Sequence, residues 1–255
     1  MRDFLSDLRK EYQPDIAMLC QKKERKKRRL PSGYPALDRI LGGGWPAGEI
    51  SEIYGAENSG KTTVALQSIA AAQKKGKQCA YIDAEHAFSL RQAETLGVDC
   101  EKLLFAAPTA GEDALGIIGS LIRSGTVDLI VVDSVAALVP MEELEQKIGE
   151  AGIDLHTKLI NQAMKQLAAP ARAMNCTLIF LNQIRARLHK RAGGRETTPG
   201  GKALKYYASV RLRLQRKQEK RGGAWCPASV IIAKTTKNTT FPPEKTTAIE
   251  LVADR

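Results

Sequence analysis

The sequence predicts an α/β fold, with a mostly parallel central sheet flanked by helices and extended by antiparallel strands near the C-terminus. Three observations predict it. Five short apolar runs, Glu49 to Tyr54, Cys79 to Asp83, Leu103 to Ala106, Asp128 to Asp133 and Thr177 to Asn182, have the near-continuous hydrophobicity of strands buried on both faces. Most are followed by a helical pattern, and strands that alternate with helices form parallel sheets. Beyond Lys205 the pattern is strands alone. The chain has 255 residues, 43% of them hydrophobic and 26% charged, so it can bury a full core.

Taken in order, residues 1 to 30 read as an amphipathic helical piece followed by a basic block, an arm suited to self-association or to an anionic partner. Pro31-Ser32-Gly33 marks its boundary with a core spanning 31–255. Helical patterns run over Lys61 to Lys74, Ser89 to Leu96, Gly111 to Ser124 and Asp154 to Met174. The last keeps Leu155, Leu159, Ala163 and Leu167 on one side at a spacing of four. Ser209 to Arg216 alternates Val210, Leu212 and Leu214 with polar neighbours, Ser229 to Ala233 is apolar, and Thr246 to Val252 alternates again, which predicts the antiparallel extension. No internal repeat is present.

Lysine plus arginine is 39 against 28 acidic residues, a net charge of +11 that favours an anionic partner such as nucleic acid or acidic lipid. The surplus is local. Between Arg185 and Arg221, thirteen basic residues face only Glu196 and Glu219, and between Lys22 and Arg29 seven face only Glu24. The glycine pairs Gly193-Gly194 and Gly200-Gly201 give the first stretch the composition of a loop hung between ordered elements, suited to phosphate contacts. The N-terminal block also has the composition of a solvated arm.

No run of about 18 uncharged apolar residues occurs and Met1 to Lys10 has no apolar core, so neither a membrane span nor a signal peptide is expected, and the cytoplasm is the expected location. The five cysteines, Cys20, Cys79, Cys100, Cys176 and Cys226, are scattered without a C-x-x-C pair. They read as reduced, mostly buried thiols, not as a disulfide framework or a zinc site.

Gly55-Ala56-Glu57-Asn58-Ser59-Gly60-Lys61-Thr62 matches G-x-x-x-x-G-K-[ST], after a strand and before a helix. Its glycines turn backbone N–H groups onto phosphates, and the helix N-terminus adds partial positive charge. Lys61 is expected on the β/γ-phosphates and the Thr62 hydroxyl on Mg²⁺. Asp133, closing an apolar strand, is expected near the metal through water, although strand-end aspartates also cap helices. Glu85 in Asp83-Ala84-Glu85-His86 is the carboxylate suited to poise water against the γ-phosphate, with a salt bridge as the alternative. Asn182-Gln183 stands just before the basic stretch, so an amide that senses the γ-phosphate is joined to the loop, as in triphosphate switches; a strand-end cap is the alternative.

From Ser32 onward these strings resemble the bacterial RecA recombinase family. The similarity is carried by Glu52-Ile53-Tyr54-Gly55 with Ser59-Gly60-Lys61-Thr62-Thr63, by Ile82 to Ala87, by Val131 to Leu138, by Asn182-Gln183-Ile184-Arg185, by Glu196-Thr197-Thr198, and by Tyr207 to Arg211. The resemblance implies a RecA-like P-loop core that hydrolyses ATP in a DNA-dependent way, forms a filament on single-stranded DNA, engages duplex DNA in pairing, and holds ATP between neighbouring subunits. It implies Glu85 as catalytic carboxylate, with Lys61 and with Gln183 as sensor. It implies DNA loops near Glu145 to Ile153 and Arg185 to Gly201, with Lys158, Lys165, Arg185, Arg187, Gly200 and Gly201 as backbone contacts and Lys237 reaching the neighbour's ATP. The basic stretch adds Lys190, Arg191, Arg195 and Lys202.

The sequence also departs from the family. The second loop has Ala192 where the family has an aromatic residue, Thr239 replaces a second interface lysine with Lys234 close by, the small C-terminal domain has no counterpart, and the N-terminal polymerisation segment is not recognisable. Two functions therefore stand side by side: a DNA-dependent ATPase of recombination, repair and the SOS response, and an accessory protein that binds ATP and a recombinase or translesion polymerase without exchanging strands.

Overall fold

The computed structural model describes residues 28–146, 155–184, 197–221 and 224–251, with the backbone alone over 218–221 and 224–229. The arm expected before Arg28, most of the loop expected near Glu145 to Ile153, and Arg185, Arg187, Lys190, Arg191 and Arg195 lie outside the described residues.

The strands are β1 (Arg29–Leu30), β2 (Trp45–Pro46), β3 (Ile50–Gly55), β4 (Cys79–Asp83), β5 (Leu104–Ala106), β6 (Leu129–Asp133), β7 (Thr177–Gln183), β8 (Val210–Arg221), β9 (Ala224–Asn238) and β10 (Thr246–Glu250). The helices are α1 (Pro35–Leu41), α2 (Lys61–Gln73), α3 (Leu90–Thr95), α4 (Gly111–Ser124), α5 (Met141–Glu145), α6 (Leu155–Met174) and α7 (Ala203–Tyr207). Eight strands form one sheet in the order β10-β9-β8-β3-β7-β6-β4-β5, and β1 pairs with β2 in a separate ribbon.

The continuous apolar runs have the expected cause. In β6, Leu129 and Val131 pack on one face while Ile130 and Val132 pack on the other, and in β7 Ile179 and Leu181 oppose Leu178 and Phe180. The first face is covered by Leu37 and Leu41 of α1 and Val64, Leu66 and Ile69 of α2. The second is covered by Ile118 and Ile122 of α4 and Ile160, Met164 and Leu167 of α6. Burying one such side chain stabilises the fold by about 1.5–3 kcal/mol, so the sheet is held chiefly by this double cover. Trp45, fully buried, satisfies its indole N–H by donating to Ser68 Oγ at 3.0 Å.

Three details differ from the sequence expectation. The stripe of α6 that meets the core is Ile160, Ala163, Met164, Leu167 and Ala171, while Leu155 and Leu159 are half-buried. β8 runs parallel to β3, so the antiparallel extension starts at β9 and continues in β10. Arg29 and Leu30, counted with the N-terminal segment, belong to the core: Leu30 is buried, and Arg29 Nη1 donates to the carbonyls of Leu41 at 2.7 Å and Gly44 at 3.0 Å. A cation capping the C-terminal carbonyls of α1 is favoured by the helix dipole.

Cys79 and Cys176 are fully buried, and burial with the nearby Asp128 carboxylate pushes each thiol up to about 12. Thiolate is the reactive form. At pH 8, mass spectrometry after brief treatment with a thiol reagent is expected to find both unmodified in the folded protein and modified after denaturation; rapid labelling of either in the native protein contradicts this packing.

Candidate functional site

The parallel strands β3, β4, β6 and β7 lie side by side, and their carboxyl ends bring Gly55, Asp83 to Glu85, Asp133 and Gln183 to one edge of the sheet. Ligands of open α/β sheets bind at this edge. The phosphate loop follows β3 and opens α2. A Cβ on Gly55 would collide with the Leu214 carbonyl and Ser59 Oγ, and one on Gly60, at φ +86°, would collide with Ile231. Only glycine lets the loop sit this tightly on β8 and β9. Ala56, Glu57 and Asn58 are exposed on the outer turn, while Ser59 is buried with its hydroxyl lacking a hydrogen-bond partner. Thr63 lies on the first turn of α2, half-buried.

Lys61 folds over the loop, its Nζ donating to the Ala56 carbonyl at 2.8 Å and the Gly55 carbonyl at 3.4 Å. Burial lowers its pKa, and the carboxylates of Asp133, Glu85 and Glu57 pull the other way. A half-desolvated ammonium facing carbonyls is poised to exchange them for phosphate oxygens.

Asp133 is the hub of the site. Its Oδ2 accepts hydrogen bonds from Thr62 Oγ1 at 2.9 Å and from Tyr81 OH at 2.7 Å. Burial raises its pKa, the two hydroxyls oppose that shift, and Glu85 and Asp83 add to it. Tyr81, on β4, is itself pushed up by burial and by Asp133. Sequence reasoning assigned Tyr81 no role; its place two residues before Asp83 on a strand paired with β6 was the available signal.

Glu85 is held from both sides. Ser134 Oγ donates to Glu85 Oε1 in a short hydrogen bond, and Gln183 Nε2 donates to the same oxygen at 3.4 Å. The backbone N–H groups of Ala84 and Glu85 donate to the Asp133 carbonyl at 2.8 and 3.1 Å, and Asp83 accepts from the N–H groups of Ala87 and Phe88, fixing the turn that carries Glu85. The carboxylate and the sensor amide, proposed separately from sequence, therefore meet. Ser134 was missed, and its position next to Asp133 was the only hint. The Asp133-Ser134 peptide is cis. The hydroxyl of Thr62 beside the carboxylate of Asp133 is a hard oxygen pair that suits Mg²⁺, and the unpartnered Ser59 hydroxyl in the loop wall leaves a polar atom free for a ligand.

Of the residues expected at DNA, Lys158 and Lys165 are both exposed on α6, two turns apart on the side away from the core. Gly200 and Gly201 have φ of +85° and +66°, and a Cβ on them would press on Ile160 and Thr157, so this turn rests on the start of α6 beside Lys158, with Lys202 exposed next to it. Lys237 Nζ donates to the carbonyls of Lys205 at 2.9 Å and Tyr206 at 2.7 Å, at the end of α7. Lys234 pairs with Glu244 at 2.5 Å. Tyr206 is 79% exposed and meets Tyr207 edge-on at 5.4 Å.

A family profile for the RecA N-terminal domain matches residues 1–255. The chain belongs to the RecA family. It is 44% identical over 250 residues to Protein RecA of Bacillus velezensis, covering 97% of this chain and 72% of that one, and 43% identical over the same shares to Protein RecA of Bacillus subtilis. Among solved structures it resembles the RadB recombinase, with a TM-score of 0.64 at 26% identity, over 87% of this chain and 95% of that one. The function that goes with membership is ATP-dependent recombination and repair, and the enzyme activity is DNA-dependent ATP hydrolysis. Among the described residues no helix is long and apolar enough to cross a membrane.

A carboxyl whose pKa is raised by folding contributes stability that is full below its unfolded value of about 3.9 and is lost as pH rises through the folded value. Asp133 is in this class. Asp133→Asn, which keeps an oxygen for Tyr81 and Thr62, is therefore expected to raise the Tm of the nucleotide-free protein at pH 7.5 by about 2–4 °C, and the gain should shrink as pH falls toward 4.5. Thermal unfolding across that range checks the sign; a variant less stable at pH 7.5 contradicts it.

Proposed function

We propose that in this RecA-family chain Glu85 orients and deprotonates the water that attacks the γ-phosphate of ATP, with Gln183 as the sensor that reports phosphate to the DNA-binding segment. The observation that carries the reading is the convergence of Ser134 and Gln183 on one oxygen of Glu85. Two donors on that oxygen orient the carboxylate and leave Oε2 to take a proton from water. When a phosphate arrives, the Gln183 amide can exchange Glu85 for a phosphate oxygen, which frees the carboxylate and moves the end of β7 in one step.

Gly55 to Thr63 would cradle the phosphates, with Lys61 released from the Gly55 and Ala56 carbonyls to neutralise them. Thr62 and Asp133 would hold Mg²⁺, Asp133 through water, and the ion when bound supplies neutralisation of phosphate charge. Single-stranded DNA, with duplex DNA as a second form, is the anionic partner that the exposed Lys158, Lys165 and Lys202 support together with the basic 185–195 stretch. A second copy of the chain is the partner that the exposed Tyr206 beside Lys237 supports, with Lys237 leaving α7 for the neighbour's nucleotide in a cytoplasmic filament.

ATP hydrolysis with and without single-stranded DNA tests this. Glu85→Gln is expected to bind nucleotide and to turn over about 10²–10⁴-fold more slowly. Lys61→Ala is expected to lose nucleotide binding in a fluorescent-nucleotide titration. Undiminished turnover in Glu85→Gln overturns the assignment, and turnover indifferent to DNA favours the accessory function instead.

A further inference from the structure

A buried polar network centred on Glu52 lies under the site, among the mostly apolar side chains of the sheet. Glu52, three residues before Gly55 on β3, and Asn182, one residue before Gln183 on β7, are both fully buried. Glu52 Oε1 accepts from Asn182 Nδ2 at 2.9 Å, and Glu52 Oε2 accepts from Arg211 Nε at 2.5 Å. Asn182 Nδ2 also donates to the Pro199 carbonyl at 3.0 Å, and its Oδ1 accepts from the Gln183 backbone N–H at 3.0 Å. The Arg211 guanidinium lies 4.6 Å from the centroid of the Tyr54 ring, and Tyr54 OH bonds Thr236 Oγ1 at 2.9 Å, next to Lys237.

Sheet packing does not require this arrangement, because apolar residues of similar volume serve a core at least as well as a buried ion pair. What distinguishes the network is what it touches: the strand leading into the phosphate loop, the backbone of the sensor, and the residue at which the chain returns from the basic stretch. We propose that Asn182 and Glu52 are positioning residues that transmit DNA occupancy from Pro199 to Gln183. This rests on the DNA-dependent ATPase reading above. Glu52 is clamped between Arg211 and Asn182 and cannot follow a moving partner without leaving a buried charge unpaired. A shift of the Pro199 carbonyl, when phosphates hold the neighbouring basic residues, must therefore turn the Asn182 carboxamide. That carboxamide is bonded to the Gln183 N–H, so the turn re-aims the Gln183 side chain at Glu85.

The test is a DNA titration of ATPase in three variants, with melting temperature measured in parallel. Asn182→Ala removes both donor contacts and is expected to lower the ratio of DNA-stimulated to basal turnover at least tenfold. Asn182→Asp sets two carboxylates against each other and should lower Tm. Adding Glu52→Gln to it restores a donor–acceptor pair between the two side chains and should recover Tm, but leaves the Pro199 carbonyl without its donor, so the stimulation ratio should stay low. Recovery of stimulation together with Tm overturns the proposal and makes Asn182 a structural residue. If the double variant does not recover Tm, Asn182→Ala decides, and stimulation within twofold of the parent overturns it. A parent protein that DNA does not stimulate overturns the DNA-dependent reading and this inference with it.

Discussion

Burial of the central sheet on both faces is the constraint from which the site follows. A strand covered on both sides is packed mostly with apolar side chains, so apart from buried groups such as Glu52 and Tyr81 the polar groups of β3, β4, β6 and β7 gather at the strand ends. Because the four run parallel and adjacent, those ends lie on one edge, where Gly55, Glu85, Asp133 and Gln183 come within reach of one ligand. Residues about fifty apart in sequence, such as Glu85 and Ser134, become hydrogen-bond partners without any loop having to search for the other.

The groups assembled there are held against their own hydration. Asp133 is taken from water and compensated by two hydroxyls, and Lys61 is partly desolvated and compensated by carbonyls of its own loop. On the reading proposed above, a polyphosphate with a divalent cation would improve both, the cation beside Asp133 and the phosphates beside Lys61.

The C-terminal strands do more than widen the sheet. Ile231 of β9 and Leu251, just after β10, lie against Gly60, so the extension forms a wall of the phosphate loop, and β8 closes the loop from the Gly55 side. Arg211 ties β8 to Glu52, and its neighbour across the ladder is Lys237. The glycine-rich loop after β3, the end of β7 and the lysine capping α7 are thus joined through contacts between neighbouring strands.

Much of this was legible in the linear order of residues. Continuous apolar runs, the mark of burial on both faces, made the parallel strands readable, and their runs agree with the structure to within one or two residues for β3, β4, β6 and β7. The phosphate loop was readable because its function depends on backbone geometry that only a fixed glycine spacing provides. Several short elements, α1, α5, α7 and the β1–β2 ribbon, were not, and β9 extends well beyond the apolar run Ser229 to Ala233 because ladder pairing with β8 carries polar residues along. Tyr81, Ser134 and Asn182 were equally silent, since a hydroxyl or an amide becomes functional only through the partner it meets. The sequence by its local patterns settled which residues form strands and where the glycine-rich loop stands; the parallel register of β4, β6 and β7 decided which side chains converge on Asp133 and Glu85, because hydrogen bonding across a sheet acts between residues that the chain itself keeps far apart.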